Sequence, residues 1–176
     1  MSTTKEDAIS LHRALRGKIE IHNRVSIETA FDEEKGTLGL IYIPSVAYVA
    51  EDKELVYDYT SKWNNVAIVS DGTRVLGLGN IGPEAALPVM EGKSVLFKAL
   101  GVINAIPLCI STTDKEEIIA FIKAIEPSFE AINIEDIESP KVFDIVKRLQ
   151  NELSIPVFHD DQHGIAVIDK LSKISK

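Results

Sequence analysis

The sequence is poor in cysteine and has no long apolar run. Cys109 is the single cysteine among 176 residues, so no disulfide can form within the chain. Its apolar neighbours favour a buried thiol in a reducing compartment. A membrane-spanning helix needs about 20 consecutive apolar residues, and the opening residues are too polar for a secretion signal. We therefore expect a soluble, cytoplasmic protein that has no membrane partner.

Basic residues are also scarce relative to acidic ones. Lys and Arg number 19 against 27 Asp and Glu, which gives a formal net charge of -8. A protein of this sign repels the phosphates of nucleic acids, so we expect no nucleic-acid partner and favour cationic ligands. The length and the 45% hydrophobic content fit one folded domain, with or without a small appendage.

Residues 1–34 are predicted to form a helical segment ahead of the main domain. The sequence TTKE at residues 3–6 has the spacing of a capping box. An apolar stripe on one helix face could cover the same chain or the same helix of a second subunit, and the second alternative predicts a homodimer. The stripe consists of Ala8, Ile9, Leu11, Leu15 and Ile19.

Residues 35–167 are predicted to form the main domain, and residues 168–176 the end of a further helix. In the last third of the chain, helical periodicity alternates with short apolar runs. The predicted elements there are a helix over 115–125, a strand over 131–134, a helix over 140–153 and a strand over 155–159. This alternation is typical of an α/β fold with a mostly parallel sheet.

The middle of the chain carries weaker signals. The runs VAIVS and RVLGLG flank turn residues 71–73, a pattern typical of a β-hairpin. A loop with Pro83 and Pro88 then leads to a short helix over GKSVLFKALG, with Lys93 near its start, and to a strand over AIPLCI. Trp63 is predicted to lie in the core.

Two acidic dipeptides give the strongest indication of a functional site. Glu135-Asp136 and Asp160-Asp161 follow the two predicted strands of one βαβ unit. The crossover makes these strands parallel, so the four carboxylates share the sheet edge where open α/β sheets bind ligands. Carboxylates this close raise one another's pKa unless a cation lies between them. We therefore expect some of the four to bind a hard divalent ion, Mg²⁺ or Mn²⁺.

Other interpretations of these residues stay open. The acidic dipeptides could cap the following helices, although Ser139-Pro140 already offers a cap and first-turn pair. His159 and His163 could indicate zinc, but the carboxylates favour oxygen-ligand chemistry and a supporting or surface role for both histidines. Lys93 is either a solvated lysine or a base whose pKa is lowered by a metal and a helix N-terminus.

Residues 75–82, VLGLGNIG, contain the G-x-G-x-x-G pattern of dinucleotide-binding loops. Such a site needs a carboxylate at the end of the next strand, about 20 residues further on. Here the next predicted strand does not end before Ile110. We therefore expect the glycines to let the backbone approach a substrate and to lead the chain to Lys93, and we assign no cofactor-binding residue to them.

Four segments resemble, in the same order, parts of the N-terminal half of malic enzymes, especially the shorter prokaryotic type. They are SDGTRVLGLGNIG, PVMEGKSVLFK, INIEDI and IPVFHDDQHGIAV. The likeness runs from about Gly39 to Val167. It implies a three-layer α/β/α domain shared with amino-acid dehydrogenases, and an enzyme that uses Mg²⁺ or Mn²⁺ and NAD or NADP. The resemblance places the Rossmann domain that binds most of the nucleotide outside this chain.

The resemblance also implies roles for individual residues. Tyr42 corresponds to a general acid, Lys93 to a general base, and Asp160 to a carboxylate that supports the base. Arg74 corresponds to an arginine that holds a substrate carboxylate in part of the family. The implied metal ligands are Glu135, Asp136 and Asp161.

The implied reaction is the oxidative decarboxylation of malate to pyruvate and CO₂ by way of oxaloacetate. Because no second strand, glycine-rich loop and helix follow, we expect this chain not to oxidise malate by itself. It would then be a truncated or split subunit that binds metal and a C4 diacid, with a separate Rossmann-domain chain as its partner. The alternatives are an oxaloacetate decarboxylase that needs no hydride acceptor and a non-catalytic sensor or assembly module.

Overall fold

The computed structural model describes Leu11, residues 14–15, residues 18–19 and residues 44–161. Contacts divide the chain into two compact units. One contains residues 1–19 and 64–176, and the other contains residues 20–63. The predicted segment boundaries after residues 34 and 167 lie outside the described residues, so they stay predictions.

The smaller unit is described from residue 44 onward and is helical. Helix α1 spans Pro44–Glu51, and helix α2 spans Val56–Tyr59. The rings of Tyr48 and Tyr59 lie 6.4 Å apart between centroids and are tilted by 57°. Trp63 is 49% exposed, so the prediction that it lies in the core is wrong.

The larger unit contains a parallel sheet of four described strands. Central strand β1 pairs with β2 on one side and with β3 on the other, and β4 pairs with β3, so the order is β2-β1-β3-β4. The prediction of a mostly parallel sheet is confirmed. The strands are β1 (Asn65–Ser70), β2 (Asn104–Cys109), β3 (Ala131–Ile134) and β4 (Val157–His159).

Helices cover both faces of this sheet, which makes three layers. Alternate residues of β1 point to opposite faces: Val66 and Ile68 pack toward one helix, and Ala67 and Val69 pack toward two others. The predicted α/β/α architecture is therefore confirmed. The helices are α3 (Pro83–Gly101) on the first face, and α4 (Lys115–Ile125) and α5 (Lys141–Glu152) on the second.

Most of the core lies between the sheet and helices α4 and α5. Both helices place branched apolar side chains three or four residues apart on one face, as amphipathic helices do. Fewer buried side chains form the opposite layer, where Met90 of α3 packs on the sheet. The fully buried residues of the main layer include Ile118, Ile122, Ile132, Ile134, Val142, Ile145 and Leu149.

The thiol of Cys109, predicted to be buried, is half-buried at the end of β2. Burial raises its pKa to about 11, and the negative charges of Asp136 and Glu84 contribute to the shift. The thiol is therefore protonated at neutral pH and has little nucleophilic character.

The elements of the last third lie where their periodicity predicts them. Helix α4 and strand β3 have the predicted bounds, and α5 is one residue shorter at each end. Strand β4 begins two residues later than predicted. The predicted helix cap is wrong, because Pro140 occupies the N-cap position of α5 and no side chain there makes a capping hydrogen bond.

The predicted hairpin after β1 is also wrong. Residues 71–82 form a loop that contains one 3₁₀ turn, Leu76–Leu78, and a single antiparallel bridge between Val75 and Gly79. The loop closes on itself where the carbonyl of Gly72 accepts hydrogen bonds from the amides of Ile81 and Gly82, at 3.1 and 3.3 Å. The chain does turn at these residues, as predicted, but the segment after the turn leads into a helix and does not form a second strand.

Helix α3 is much longer than the predicted GKSVLFKALG helix. It begins at Pro83, contains Pro88, and places Lys93 in its interior rather than near its start. Proline is favourable in the first turn but normally disrupts a helix interior. Burial of Ala86, Met90 and Ser94 along one face outweighs that local preference. No described helix is long and apolar enough to cross a membrane.

Of the glycines in this loop, Gly72 has the least room for a side chain. It has a φ of +70°, and a Cβ built on it would lie 2.2 Å from the carbonyl oxygen of Gly82. We expect Gly72→Ala to destabilise the fold by roughly 1–3 kcal/mol. Gly77 lies in the same loop with open space around it, so Gly77→Ala is the matched control. Urea unfolding followed by circular dichroism measures both, and equal midpoints would contradict the expectation.

Candidate functional site

The acidic dipeptides meet at the carboxyl edge of the sheet, as the parallel pairing of β3 and β4 requires. Ile134 pairs with His159, so Glu135-Asp136 and Asp160-Asp161 directly follow paired residues. Glu135 and Asp136 are buried, Asp160 is partly exposed and Asp161 is exposed. The four carboxylates thus extend from the protein interior to its surface.

Lys93 bridges the two dipeptides from the neighbouring helix. Its Nζ donates a hydrogen bond of 2.6 Å to Asp160 Oδ2 and lies 3.0 Å from Glu135 Oε1. Helix α3 packs on β1 and β2, on the sheet face toward which Asn133 and Glu135 also point. The ammonium group therefore balances part of the negative charge at this edge.

The same contacts determine the protonation state of Lys93. Burial by itself lowers its pKa, but hydrogen bonds and charges from Asp160 and Glu135 outweigh burial, and the pKa is raised above the ordinary lysine value. The predicted position of Lys93 near a helix start is wrong, and a pKa lowered by a bound metal stays a prediction. The lysine lies inside the helix, and its nearest charged partners are carboxylates.

Asn133 supports Glu135, and the sequence reasoning missed it. Its Nδ2 donates a 3.0 Å hydrogen bond to Glu135 Oε2, and the residue is fully buried in β3. Burial raises the pKa of Glu135, against the opposing effect of hydrogen bonds from Lys93 and Asn133. The available signal was an amide within the apolar strand AINI, since a buried amide needs hydrogen-bond partners.

Asp136 has an unusual backbone and an incompletely bonded side chain. Its φ is +52°, a left-handed conformation that aspartate tolerates better than most residues. Burial raises the pKa of its carboxyl group, and the charge of Asp161 raises it further. Its Oδ2 is buried without a hydrogen-bond partner among the described residues. A buried acceptor without a partner is costly, and a cation would remove that cost.

A cavity of about 430 Å³ opens beside Asp136. Its wall includes Arg74, Asp136, His159 and Asp161. Arg74 is exposed, and its backbone amide donates a 3.0 Å hydrogen bond to the carbonyl oxygen of Asp136. The cavity therefore has an arginine and two carboxylates around one space, an arrangement suited to an anionic ligand bound together with a cation.

His159 contributes to this wall from the interior. It is 2% exposed, and its Nε2 lies 3.9 Å from Asp161 Oδ2. A surface position for this histidine is therefore wrong. Tyr42 and His163, the other two residues considered at the sequence level, lie outside the described residues.

The donor set fits a hard divalent cation in its chemistry. All the carboxylate oxygens are hard donors, Asp136 has an unpartnered oxygen, and burial disfavours the ionised forms of Glu135 and Asp136. No three Asp, Glu, His or Cys side chains of the described residues converge closely enough to hold one ion. Holding it would require a side-chain rearrangement, because Glu135 is bonded to Lys93 and Asn133.

Comparison with known proteins places the chain in a family. The family model for the N-terminal domain of malic enzymes matches residues 18–117. The chain is 54% identical to the NAD-dependent malic enzyme of Geobacillus stearothermophilus over 86% of its length, covering 32% of that protein. It is 50% identical to the bifunctional malic/malolactic enzyme of Bacillus subtilis over 93% of its length, covering 40% of that protein.

A solved structure gives the same result. The crystal structure of the NAD-dependent malic enzyme of Thermotoga maritima superposes with a TM-score of 0.85 at 55% identity, covering 92% of this chain and 45% of that one. Other relatives are named NADP-dependent malic enzymes. The chain spans less than half the length of each of these three matched proteins.

The raised pKa of Asp136 predicts how stability depends on pH. The folded state holds this proton more tightly than the unfolded state, so stability decreases as pH rises through the folded pKa. With chelator present, we expect Asp136→Asn to unfold at higher urea concentration than the wild type at pH 7. The difference should vanish at a pH below the ordinary pKa of aspartate, where the wild-type group is protonated in both states.

The matched control for this experiment is Asp144→Asn. The ion pair with Lys115 lowers the pKa of the Asp144 carboxyl group, so its stabilising effect is present at neutral pH and lost in acid. The two variants should therefore shift stability in opposite directions at pH 7. A shift in the same direction for both would contradict the assignment.

Proposed function

This chain belongs to the malic enzyme family, and we propose that it supplies the malate-binding and metal-binding part of an NAD(P)-dependent malic enzyme. In that reaction, malate is oxidised at C2 with hydride transfer to NAD(P)⁺, and the resulting oxaloacetate loses CO₂ to form pyruvate. The proposal rests above all on Lys93, whose Nζ lies between Glu135 and Asp160 at the sheet edge.

Lys93 is the proposed base that takes the proton from the C2 hydroxyl group. It must be neutral to do so, yet Glu135 and Asp160 favour its ammonium form. A positive charge placed on Glu135 would weaken the attraction of this carboxylate for the ammonium proton and lower the lysine pKa. Glu135, which contacts Lys93 and is a proposed cation ligand, thus couples cation binding to the activation of Lys93.

The proposed ligands of the divalent cation are Glu135, Asp136 and Asp161. Bound there, the cation would supply positive charge that polarises the hydroxyl and carboxylate oxygens of the substrate. The orphaned Oδ2 of Asp136 supports this assignment. Asp160 keeps the hydrogen bond that it accepts from Lys93 and supports this base.

Arg74 is the proposed partner of a substrate carboxylate. It lies in the wall of the cavity that also contains Asp136 and Asp161, and guanidinium groups pair with carboxylates through two parallel hydrogen bonds. Tyr42 is the proposed acid that protonates C3 after CO₂ is lost, on the basis of the family resemblance. The names of the relatives support a nicotinamide cofactor, and we assign no described residue to it.

Cation binding can be tested by thermal unfolding. We expect Mn²⁺ or Mg²⁺ to raise the melting temperature of the wild type, because a ligand at about 100 times its Kd stabilises the folded state by roughly 2.7 kcal/mol. Asp136→Asn should lose most of this increase, while Asp144→Asn, which changes an exposed carboxylate on α5, should keep it. An equal increase in all three proteins would contradict the proposed ligands.

The role of Lys93 can be tested with oxaloacetate, whose decarboxylation needs no hydride acceptor. Oxaloacetate has no C2 hydroxyl proton to remove, so in this step the protonated Lys93 would act in the reverse sense and donate a proton to the C2 oxygen as the bond to CO₂ breaks. With Mn²⁺ present, we expect the purified chain to accelerate oxaloacetate loss and Lys93→Ala to reduce that acceleration by about 10²-fold or more, the usual contribution of a general acid or base. Lys98→Ala is the control, since Lys98 lies on the same helix but bonds to Asn104.

Rates are followed by the ultraviolet absorbance of oxaloacetate. Equal rates for the wild type and Lys93→Ala would remove Lys93 from the mechanism. Assays with malate, Mn²⁺ and NAD⁺ or NADP⁺ on the same preparation test the full reaction separately.

A further inference from the structure

A second lysine and carboxylate pair lies close to the cavity and has no part in the chemistry proposed above. Asp71 follows strand β1, is 1% exposed, and accepts a 2.8 Å hydrogen bond from Lys141 Nζ. Lys141 also donates to the carbonyl oxygen of Thr113 at 3.0 Å and lies 3.5 Å from Glu138 Oε1. The pair is largely shielded from water, since the Lys141 side chain is 15% exposed.

Thr73 extends this pair across the loop. Its backbone amide and its hydroxyl group both donate to Asp71 Oδ1, at 3.0 and 2.6 Å. Its hydroxyl oxygen also accepts a 2.9 Å hydrogen bond from the amide of Glu138. We call Asp71, Thr73 and Lys141 the loop clamp, because they tie the loop after β1 to the start of α5.

The position of Lys141 argues against a purely stabilising role. It is the first residue of α5, where the partial positive charge of the helix N-terminus disfavours a cation. Buried ion pairs seldom stabilise a protein more than apolar residues of similar size would. Here the pair holds Thr73, whose hydroxyl group also bonds to the amide of Glu138, and Arg74 is the next residue.

The loop clamp ends one residue before Arg74. Thr73 is bonded to Glu138, and the next residue, Arg74, donates its amide to the carbonyl oxygen of Asp136. Two consecutive residues of the loop are thus attached to the segment that carries Asp136. The backbone distance between Arg74 and Asp136 therefore depends on the loop clamp, and both residues lie in the wall of the same cavity.

We propose that the loop clamp is a positioning device that places Arg74 to select ligands with a second carboxylate over otherwise equal monocarboxylates. This inference rests on the proposed binding of a hydroxy diacid in the cavity. The chemical contrast is between malate and lactate, which share a 2-hydroxy acid group and differ by one carboxylate. Lys141 and Asp71 act through Arg74 and do not touch the ligand.

The test uses the full chain with Mn²⁺ and measures the affinities of malate and lactate by ligand-observed NMR. We expect Lys141→Met to reduce the preference for malate over lactate about tenfold, the size of one charge-assisted hydrogen bond, mainly by weakening malate. Lys115→Met is the matched control. Lys115 also donates to an aspartate at 2.8 Å, but to the exposed Asp144, and its loss should leave the preference unchanged.

Variants made in the Arg74→Gln background distinguish an effect that acts through Arg74 from a general structural effect of the loop clamp. If the loop clamp acts through Arg74, adding Lys141→Met to Arg74→Gln should change the preference no further, whereas independent effects would multiply. Thr73→Val, which keeps the shape of the side chain and removes its hydroxyl group, gives a second variant should Lys141→Met not fold. It is expected to reduce the preference in the same direction.

Hydrogen exchange provides a readout that needs no ligand. Exchange at the Arg74 amide should accelerate in Lys141→Met and in Thr73→Val, and stay as in the wild type in Lys115→Met. If the wild type binds no malate, the proposed function fails, and the exchange result alone decides whether the loop clamp orders Arg74. An unchanged Arg74 amide, or an unchanged malate preference in a chain that binds malate, would overturn the inference.

Discussion

Balancing buried negative charge at the carboxyl edge of the sheet is the constraint on which the site depends. Parallel pairing of β3 with β4 puts two acidic dipeptides side by side, and burial raises the pKa of both Glu135 and Asp136. In the described residues, Lys93 compensates part of this charge, and one oxygen of Asp136 has no partner. The proposed cation would remove this residual imbalance.

Two lysines serve this edge in different ways. Lys93 reaches it from α3 and contacts the carboxylates directly, so its protonation follows their charge. Lys141 acts from the opposite face of the sheet, where its bond to Asp71 fixes the loop that contains Arg74. The protonation of Lys93 and the position of Arg74 therefore depend on separate ion pairs. A substitution in one ion pair can change one of these properties without directly removing the other.

Part of the fold and of the site was predictable because the relevant signals are local. Helix α4 and strand β3 have the predicted bounds, since their apolar periodicity agrees with their packing. The predicted length of helix α3 is too short because Pro88 and Gly92 are unfavourable helix residues. Burial of Met90 against the sheet outweighs their effect. The predicted hairpin is wrong for a related reason. The chain turns at Gly72, but the residues after this turn form a closed loop and not a strand.

The sequence by itself determined which chemical groups meet: βαβ handedness and strand polarity bring Glu135, Asp136, Asp160 and Asp161 to one edge whatever the details of packing. Tertiary structure alone decided how they are balanced. Lys93 is distant in sequence from Asp160, and the direction of its pKa depends on burial and on contacts that form only when α3 packs on the sheet. The same holds for Asp71 and Lys141, because no local pattern relates residues that meet across separate layers of the fold.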